Sequence, residues 1–263
     1  GGKGANQAVA AARLGAAVTM IGKVGPDAFG DALRANLAAA GVNVEHVTRS
    51  VEATGVALIT VSAAGENTIV LAPGANGTVT PEDVQACAGI IGQADALLLQ
   101  LEVPLPAVRA AAEIAAARGV PVILNPAPAQ PLPPDLLRHV TYLIPNEHEA
   151  ALLAGGPADD AETLARRVQA LGPRAVVVTL GAAGALVLDG VTAAHVPSYP
   201  VTVVDSTAAG DAFVAAFGVA LSEGQSPVAA AAWGCAAGAL ACTVLGAQPS
   251  LPRRAAVAEL VGK

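Results

Sequence analysis

The stretch Val120-Pro121-Val122-Ile123-Leu124 is a short apolar run that ends at the polar residue Asn125. Three more runs of this form alternate with helix-like stretches along the middle of the chain: Ala96–Leu101, Val140–Ile144 and Ala175–Val178. Short runs without charge are typical of strands buried on both faces. Their alternation with helices predicts an α/β fold with a doubly wound, mostly parallel sheet.

Each of these runs is followed almost at once by a polar residue. These residues are Glu102, Asn125, Asn146 and Thr179. In open α/β sheets, ligands bind at the carboxyl ends of the strands. One such residue is only a loop residue, but four from consecutive strands predict a functional site at that edge of the sheet.

A second signal is the segment Asp205-Ser-Thr-Ala-Ala-Gly-Asp-Ala-Phe213, which follows the apolar extended stretch Val201–Val204. Phe213, Phe217 and Leu221 recur at helical spacing, so small residues and Asp211 open a helix. Free N–H groups at such an end suit a phosphate-sized anion. Asp211 beside an anion fits a site in which a hydroxyl is held and deprotonated next to a phosphoryl group. An ordinary capped helix is the alternative.

The chain starts with Gly1-Gly-Lys-Gly-Ala-Asn-Gln7, followed by a helical run to Leu14 and a stop at Gly15. A glycine-rich segment that enters a helix normally follows a strand or loop. We therefore expect that a first segment of the protein precedes Gly1.

Residues 54–72 differ from the rest, because two strand-like runs flank Ala63-Ala-Gly-Glu66 with no helix between them. This pattern predicts a hairpin that leaves the main sheet. Such a hairpin serves either as a flap that excludes water or as an interaction edge.

Composition narrows the class of protein. The 263 residues are 54% apolar and 13% charged, with a net charge of −7 and no basic run, which argues against nucleic acid as a partner. The three cysteines and four histidines lack metal-ligand spacing, so we expect free thiols in a reducing cytoplasm. Pro227–Ala247 is uncharged but rich in Ala and Gly, which predicts a buried helix from Pro227 to about Gly246 rather than a membrane span.

The common nucleotide fingerprints are absent from the sequence. Neither G-x-x-x-x-G-K-[ST] nor a G-x-G-x-x-G after a strand occurs. Thr179-Leu-Gly-Ala-Ala-Gly184 is a glycine turn after a strand, and by itself it fits either a hairpin or a nucleotide shelf.

Taken in order, the motifs 1–7, Asn146-Glu-His-Glu149, Thr179-Leu-Gly181 and 205–211 resemble the ribokinase-like (PfkB) carbohydrate kinases. Gln100-Leu-Glu102, Leu124-Asn-Pro-Ala-Pro128 and Gly246-Ala-Gln-Pro-Ser250 strengthen the resemblance, which covers essentially the whole chain. It implies a single three-layer α/β/α domain over residues 1–263, with a small β lid at about 54–72 that often forms a homodimer. It also implies ATP-dependent phosphorylation of D-ribose at the 5-hydroxyl.

The resemblance assigns roles to individual residues. Asp211 would be the base, and the amides of Ala208, Ala209 and Gly210 would form the anion hole. The sugar would be held by Gly2, Lys3, Gly4, Ala5, Asn6, Glu102 and Asp211. The nucleotide would be bound by Asn146, Thr179, Leu180, Gly181, Ala182, Ala183, Gly184 and Gly210, with Cys235 near the adenine. Glu149 would organise Mg²⁺, and a K⁺ site would use Asp205, Thr207, Ala241, Val244, Gly246 and Ser250.

The chain departs from the family pattern in two places. The Asn-x-Asp sugar element of the family's first strand is absent, and Cys235 stands where His or Asn is usual. The alternatives are a sister kinase for a nucleoside or another sugar, and a non-catalytic fragment that binds nucleotide.

Overall fold

The structure is a computed structural model that describes residues 2–61 and 67–262. Its strands are β1 (Gly22–Val24), β2 (Val47–Arg49), β3 (Val56–Val61), β4 (Asn67–Ala72), β5 (Leu97–Leu99), β6 (Val122–Leu124), β7 (Tyr142–Leu143), β8 (Ala175–Thr179), β9 (Ala185–Asp189) and β10 (Thr192–Val196). Its helices are α1 (Lys3–Arg13), α2 (Ala28–Ala39), α3 (Pro81–Ala86), α4 (Ala88–Ile91), α5 (Leu105–Ala117), α6 (Pro134–Leu137), α7 (Glu147–Leu153), α8 (Ala161–Gln169), α9 (Ala209–Ser222), α10 (Pro227–Ala241), α11 (Ala247–Ser250) and α12 (Arg254–Val261).

The main sheet has six strands in the order β10-β9-β8-β7-β6-β5. The four strands β5 to β8 pair in parallel, whereas β9 and β10 are added antiparallel at one edge. All four apolar runs singled out in the sequence lie on this parallel part. The predicted mostly parallel α/β sheet is confirmed.

Strands β6 to β9 are buried on both faces of the sheet, and this explains why they read as continuous apolar runs. In β8, Val176 and Val178 pack into one hydrophobic cluster, whereas Ala175 and Val177 pack into another. The first cluster includes residues of α5 and α8, and the second includes residues of α9 and α10. Successive side chains of a strand point to opposite faces, so these clusters define three layers, α/β/α.

Two small sheets lie outside the main one. β1 pairs with β2 in parallel, and β3 pairs with β4 antiparallel from Val56↔Ala72 to Val61↔Asn67. The predicted hairpin therefore forms a separate sheet, as the lack of an intervening helix suggested. The predicted turn at Ala63–Glu66 lies outside the described residues.

The helices α9 and α10 pack closely because α10 carries glycine where it meets α9. A Cβ at Gly234 would lie 2.8 Å from the ring of Phe213, and one at Gly238 would lie 3.2 Å from the carbonyl oxygen of Ala209. Phe213 in turn stacks on Phe217, with ring centroids 6.4 Å apart. The N-terminus of α9 is thus held in place by ring packing within the core.

The predicted end of α10 is wrong by about one turn. The helix begins as expected, with the Ser226 hydroxyl accepting from the N–H of Ala229, but it ends at Ala241. Both the N–H and the hydroxyl of Thr243 donate to the carbonyl of Leu240, which tightens the last turn. No helix in the described part of the chain is long and apolar enough to cross a membrane.

The stretch before α9 also differs from expectation. Val201–Val204 is not assigned to any strand among the described residues, and Val203 and Val204 are exposed. The N–H groups of Val204 and Asp205 both donate to the carbonyl of Cys242. Asp205 therefore follows a loop tied to the end of α10, not the end of a strand.

Candidate active site

The N-terminus of α9 presents backbone amides to solvent and a carboxylate to the interior. Ala208 caps the helix with a left-handed backbone, φ 62°, the one positive-φ residue other than glycine among those described. Gly210 is exposed, whereas Asp211 is only 6% exposed. The N–H of Ala209 already donates to the carbonyl of Ser206. The predicted anion hole would therefore depend on the N–H groups of the residues on either side of it, Ala208 and Gly210. N–H groups in a first turn have no acceptor within the helix.

Asp211 is held by the first helix of the chain. The side-chain amide of Asn6 donates to Oδ2 at 2.9 Å, and that of Gln7 donates to Oδ1 at 3.1 Å. Both amides are buried, and they lie about 200 residues from Asp211 in the sequence. The structure thus joins the two motifs at opposite ends of the chain.

A second carboxylate lies at the start of α1. Glu102 Oε2 accepts from the N–H of Lys3 at 2.7 Å. A Cβ at Gly2 would collide with this oxygen, and a Cβ at Gly4 would lie 2.9 Å from Gln100 Oε1. Glycine at these two positions lets the backbone approach the polar side chains that follow β5.

One buried polar atom beside Asp211 has no partner. Asn6 Oδ1 is the single buried side-chain oxygen or nitrogen, among the described residues, that makes no hydrogen bond. A buried acceptor without a donor is costly. Its position next to Asp211 fits a ligand that brings a hydroxyl group.

Asn146 and Glu149 form a capping box at the start of α7. Asn146 Oδ1 accepts from the Glu149 N–H at 2.8 Å, and Glu149 Oε2 accepts from the Asn146 N–H at 2.9 Å. Burial raises the pKa of Glu149, and the hydrogen bond from Asn146 and the charge of Lys3 oppose that shift.

The polar residues that follow β6, β7 and β8 are linked through neighbouring backbone groups. Asn125 Nδ2 donates to the carbonyl of Ile144, the N–H of Thr179 donates to that of Pro145, and Asn146 and Thr179 form a parallel bridge. They form one edge of the sheet, with Glu102 at the end of β5.

The segment Thr179–Gly184 links two antiparallel strands, so the hairpin alternative describes its backbone. Gly181 and Gly184 have φ of 56° and 97°, and the Leu180 N–H donates to the Gly184 carbonyl at 2.8 Å. A Cβ at Gly184 would overlap the Val196 carbonyl oxygen of β10. Gly181, Ala182 and Ala183 are exposed and open to a ligand.

Cys235 lies inside the core on α10, at 5% exposure, rather than on an open surface. Its Sγ is 4.0 Å from the Val196 carbonyl oxygen, and burial raises the pKa of the thiol to about 11. Cys87 is also buried and Cys242 is partly exposed, and all three thiols are free.

Two of the other predicted cation-site residues, Thr207 and Gly246, bond the carboxylate of Asp205. Oδ1 of Asp205 accepts from the N–H and the hydroxyl of Thr207, and Oδ2 accepts from the N–H of Gly246 at 2.8 Å. These bonds lower the pKa of Asp205, with the Thr207 hydroxyl as the largest cause. Ala241 and Ser250 are buried, whereas Val244 is exposed.

No group of three or more His, Cys, Asp and Glu side chains that could hold a metal ion occurs among the residues described. The sequence interpretation assigned no role to Gln7, although it bonds Asp211 as directly as Asn6 does. No sequence signal separates Gln7 from an ordinary helical glutamine, because its burial results from the packing of α1 against α9 and β5.

Comparison with known proteins places the chain in the class of carbohydrate kinases. Residues 1–254 match the model of the pfkB family carbohydrate kinase, and the chain belongs to that family. It is similar to the ribokinase of Staphylococcus aureus (strain COL), with 42% identity over 96% of this chain and 84% of that protein.

Two solved structures extend the likeness to the fold. The ribokinase of Thermotoga maritima is 37% identical, with a TM-score of 0.92 over 100% of this chain and 88% of that one. The ribokinase of Arabidopsis thaliana, solved with ribose and ATP, is 34% identical, with a TM-score of 0.93 over the same shares.

Proposed function

We propose that this chain transfers the γ-phosphoryl group of ATP to the 5-hydroxyl of D-ribose. The observation that carries the proposal is the buried carboxylate of Asp211 at the N-terminus of α9, joined to the glycine-rich start of α1. The similarity to ribokinases, one of them solved with ribose and ATP, supports the choice of substrates.

In this mechanism Asp211 is the general base. The oxygen of the sugar hydroxyl forms a bond to the γ-phosphorus, the bond from that phosphorus to the bridging oxygen breaks, and ADP leaves with the electron pair. The hydroxyl proton passes to Asp211. Phosphoryl transfer requires positioning and charge stabilisation above all, which a fixed carboxylate beside helix amides supplies.

The sugar would lie between Glu102 and Asp211. Glu102 accepts from sugar hydroxyls, and Asn6 Oδ1, which has no donor in the structure, accepts another. The close approach of Gly2 and Gly4 to the residues after β5 leaves this space to the ligand. Lys3 and Ala5 complete the segment that borders it.

The γ-phosphoryl group would bind at the amides of Ala208 and Gly210, with Ala209 between them. A single preorganised donor in such a site is worth about 3 kcal/mol in the transition state. Asn146 contacts the phosphates, and 179–184, with its exposed turn, borders the nucleotide. Cys235 lies in the core behind this surface. It would therefore support the adenine site by packing and would not contact adenine with its thiol.

Two cations fit the donor sets. Mg²⁺ bound to the phosphates would neutralise developing charge, with Glu149 as a partner through water, since its Oε1 makes no bond in the capping box. Asp205, Thr207 and the carbonyl-rich turn at Ala241, Val244, Gly246 and Ser250 offer hard oxygens suited to K⁺.

We further propose one domain over residues 1–263 that forms a homodimer through the lid. Val56, Leu58 and Leu71 of the lid are exposed, at 39%, 63% and 52%. Apolar side chains on a two-stranded sheet need a cover to be stable.

The buried free thiols of Cys87 and Cys235 fit a reducing compartment, the cytoplasm.

A coupled assay of ADP release tests the activity, with ATP, Mg²⁺ and K⁺ and with D-ribose, 2-deoxyribose or adenosine as acceptor. We expect the highest kcat/KM with ribose and a product phosphorylated at the 5-position by ³¹P NMR. A strong preference for adenosine would reject ribose as the substrate, and no turnover with any acceptor would favour a nucleotide-binding fragment.

A further inference from the structure

Gln7 is a polar residue that is almost completely enclosed, with 1% of its surface exposed. Its side-chain amide touches three other side chains. Nε2 donates to Asp211 Oδ1 at 3.1 Å and to Asn125 Oδ1 at 3.4 Å, and Oε1 accepts from Gln100 Nε2. These partners come from α9 and from the ends of β6 and β5.

The polarity of this network is set by one backbone atom. Asn125 Nδ2 donates to the carbonyl oxygen of Ile144 at 3.0 Å. A carbonyl can only accept, so Asn125 must turn its NH₂ group to Ile144 and its oxygen to Gln7. Gln7 must then turn its own NH₂ group to Asn125.

The same NH₂ group reaches Asp211. An amide has two N–H donors, and Gln7 has one for Asn125 and one for Asp211. Gln100 holds the other end of the amide, since its NH₂ group faces Gln7 Oε1. The network therefore presents a donor to the carboxylate, and a reversed amide would place an oxygen against it.

With Asn6 on Oδ2 and Gln7 on Oδ1, each oxygen of Asp211 has its own donor. Two donors from one helix fix both the position of the carboxylate and the rotation of its plane. A base acts efficiently only when its free lone pair is aimed at the proton it removes.

We propose that Gln7 is a positioning residue of the phosphoryl transfer, oriented by Asn125 and Gln100, which aims the carboxylate of Asp211 at the acceptor hydroxyl. This inference rests on the proposed function, because it takes Asp211 as the base. In this role Gln7 contacts neither the sugar nor the nucleotide.

The test compares Gln7→Met, which removes the donor, with Gln7→Glu, which puts a second carboxylate against Asp211. Gln93, which is exposed in a turn, gives the matched controls Gln93→Met and Gln93→Glu. For each variant, kcat and the KM for ATP are measured across pH, together with Tm.

We expect Gln7→Met to lower kcat by about 10- to 100-fold, the usual cost of a misplaced reacting group, with the KM for ATP unchanged. Gln7→Glu should move the acid limb of the kcat profile up by about one pH unit or more, because two adjacent carboxylates retain a shared proton. A merely structural role would lower kcat equally at every pH.

Either of two results would overturn the proposal. One is that Gln7→Glu does not move the acid limb of the kcat profile, and the other is that Gln7→Met has the kcat of the wild type. If neither variant folds, Gln100→Met decides, since it removes only the donor to Gln7 Oε1. A several-fold lower kcat with an unchanged KM for ATP supports the proposal, and a wild-type kcat refutes it.

Asp211→Asn separates the two levels of inference. If the wild type does not phosphorylate ribose, or if Asp211→Asn turns over normally, the proposed function itself fails. If the wild type is active and Asp211→Asn is not, the Gln7 variants test positioning alone.

Discussion

The proposed site has two halves that are built in different ways. The proposed sugar half, residues 2–6, Glu102 and Asp211, is buried or half-buried apart from Gly2, and it is joined by hydrogen bonds between residues 99 to 205 positions apart. The phosphate half, residues 208–210, Asn146 and 179–184, is largely exposed and is shaped by contacts within a few residues, such as the capping box of α7. The first half exists only in the complete fold, whereas the capping box and the glycine turn of the second half follow from local backbone geometry. Substitutions in the sugar half should therefore alter catalysis and acceptor binding, and those in the phosphate half should register first as changes in local stability.

The largest effect is expected for Asp211→Ala. Loss of the general base should lower kcat by about 10³-fold or more, while ATP still binds, because the amides of the phosphate half remain. Turnover is measured by ADP release and ATP binding by calorimetry. Asp95→Ala, at an exposed aspartate, is the control, and near-normal turnover by Asp211→Ala would contradict the assignment.

Glu102→Gln should have an intermediate effect confined to the sugar. The amide oxygen still accepts from the Lys3 N–H but carries no charge, so we expect a KM for ribose about tenfold higher and an unchanged KM for ATP. Glu113→Gln on α5, at an exposed glutamate, provides the comparison. An equal rise in both KM values would show that the two halves are not separate.

Ala208→Gly should stabilise the protein slightly. Ala208 has a left-handed backbone, which costs a residue with a Cβ about 1–2 kcal/mol. Glycine removes this cost, but most of the gain in stability is offset because glycine has greater conformational freedom in the unfolded chain. We expect a rise in Tm of about 1–2 °C. Ala209→Gly, within the helix, should lower Tm instead, and an equal loss in both variants would disprove the strain.

The smallest effect is a dependence of stability on pH. Burial raises the pKa of Glu149 in the folded state, so the native protein binds this proton more tightly than the unfolded chain does. The stability of the wild type relative to Glu149→Gln should therefore fall as pH rises from about 4 towards 7. Thermal unfolding of both proteins measures it.

Glu147→Gln, an exposed neighbour on the same turn of α7, is the control for that experiment. It should show no such slope. A wild type that gains stability relative to Glu149→Gln as pH rises would reverse the sign and reject burial as the dominant cause.

The sequence predicted what local pattern determines. The four buried strands, the lid hairpin and the start of α9 were found because apolar periodicity and small residues at a helix start have direct structural causes. The end of α10 was misplaced, because the chain stays uncharged past Ala241 and no local pattern marks the point where the backbone leaves the helix. The sequence also does not show that Val201–Val204 is a loop. The loop depends on hydrogen bonds from the N–H groups of Val204 and Asp205 to the carbonyl of Cys242, which no local pattern shows.

For the site, the sequence identified two carboxylates and missed the amide network that holds one of them, Asp211. Asp211 and Glu102 stand out in an apolar chain, whereas Gln7 resembles any helical glutamine until its three partners are known. Its burial results from the packing of α1 against α9 and β5, which is a property of the whole fold. Amide networks of this kind are therefore the part of a site that single-sequence reasoning is least able to find.

The close contact of Gly234 with the ring of Phe213 has a consequence for mutational screens. Any side chain at position 234 would push Phe213, and with it the start of α9, away from its place. A screen for inactive variants would thus recover substitutions at Gly234 as well as at Asp211, although glycine has no side chain to take part in a reaction. The two are separable by their tolerance profiles: at 234 the severity of a replacement should increase with its volume, whereas at 211 even a replacement of equal size should abolish activity.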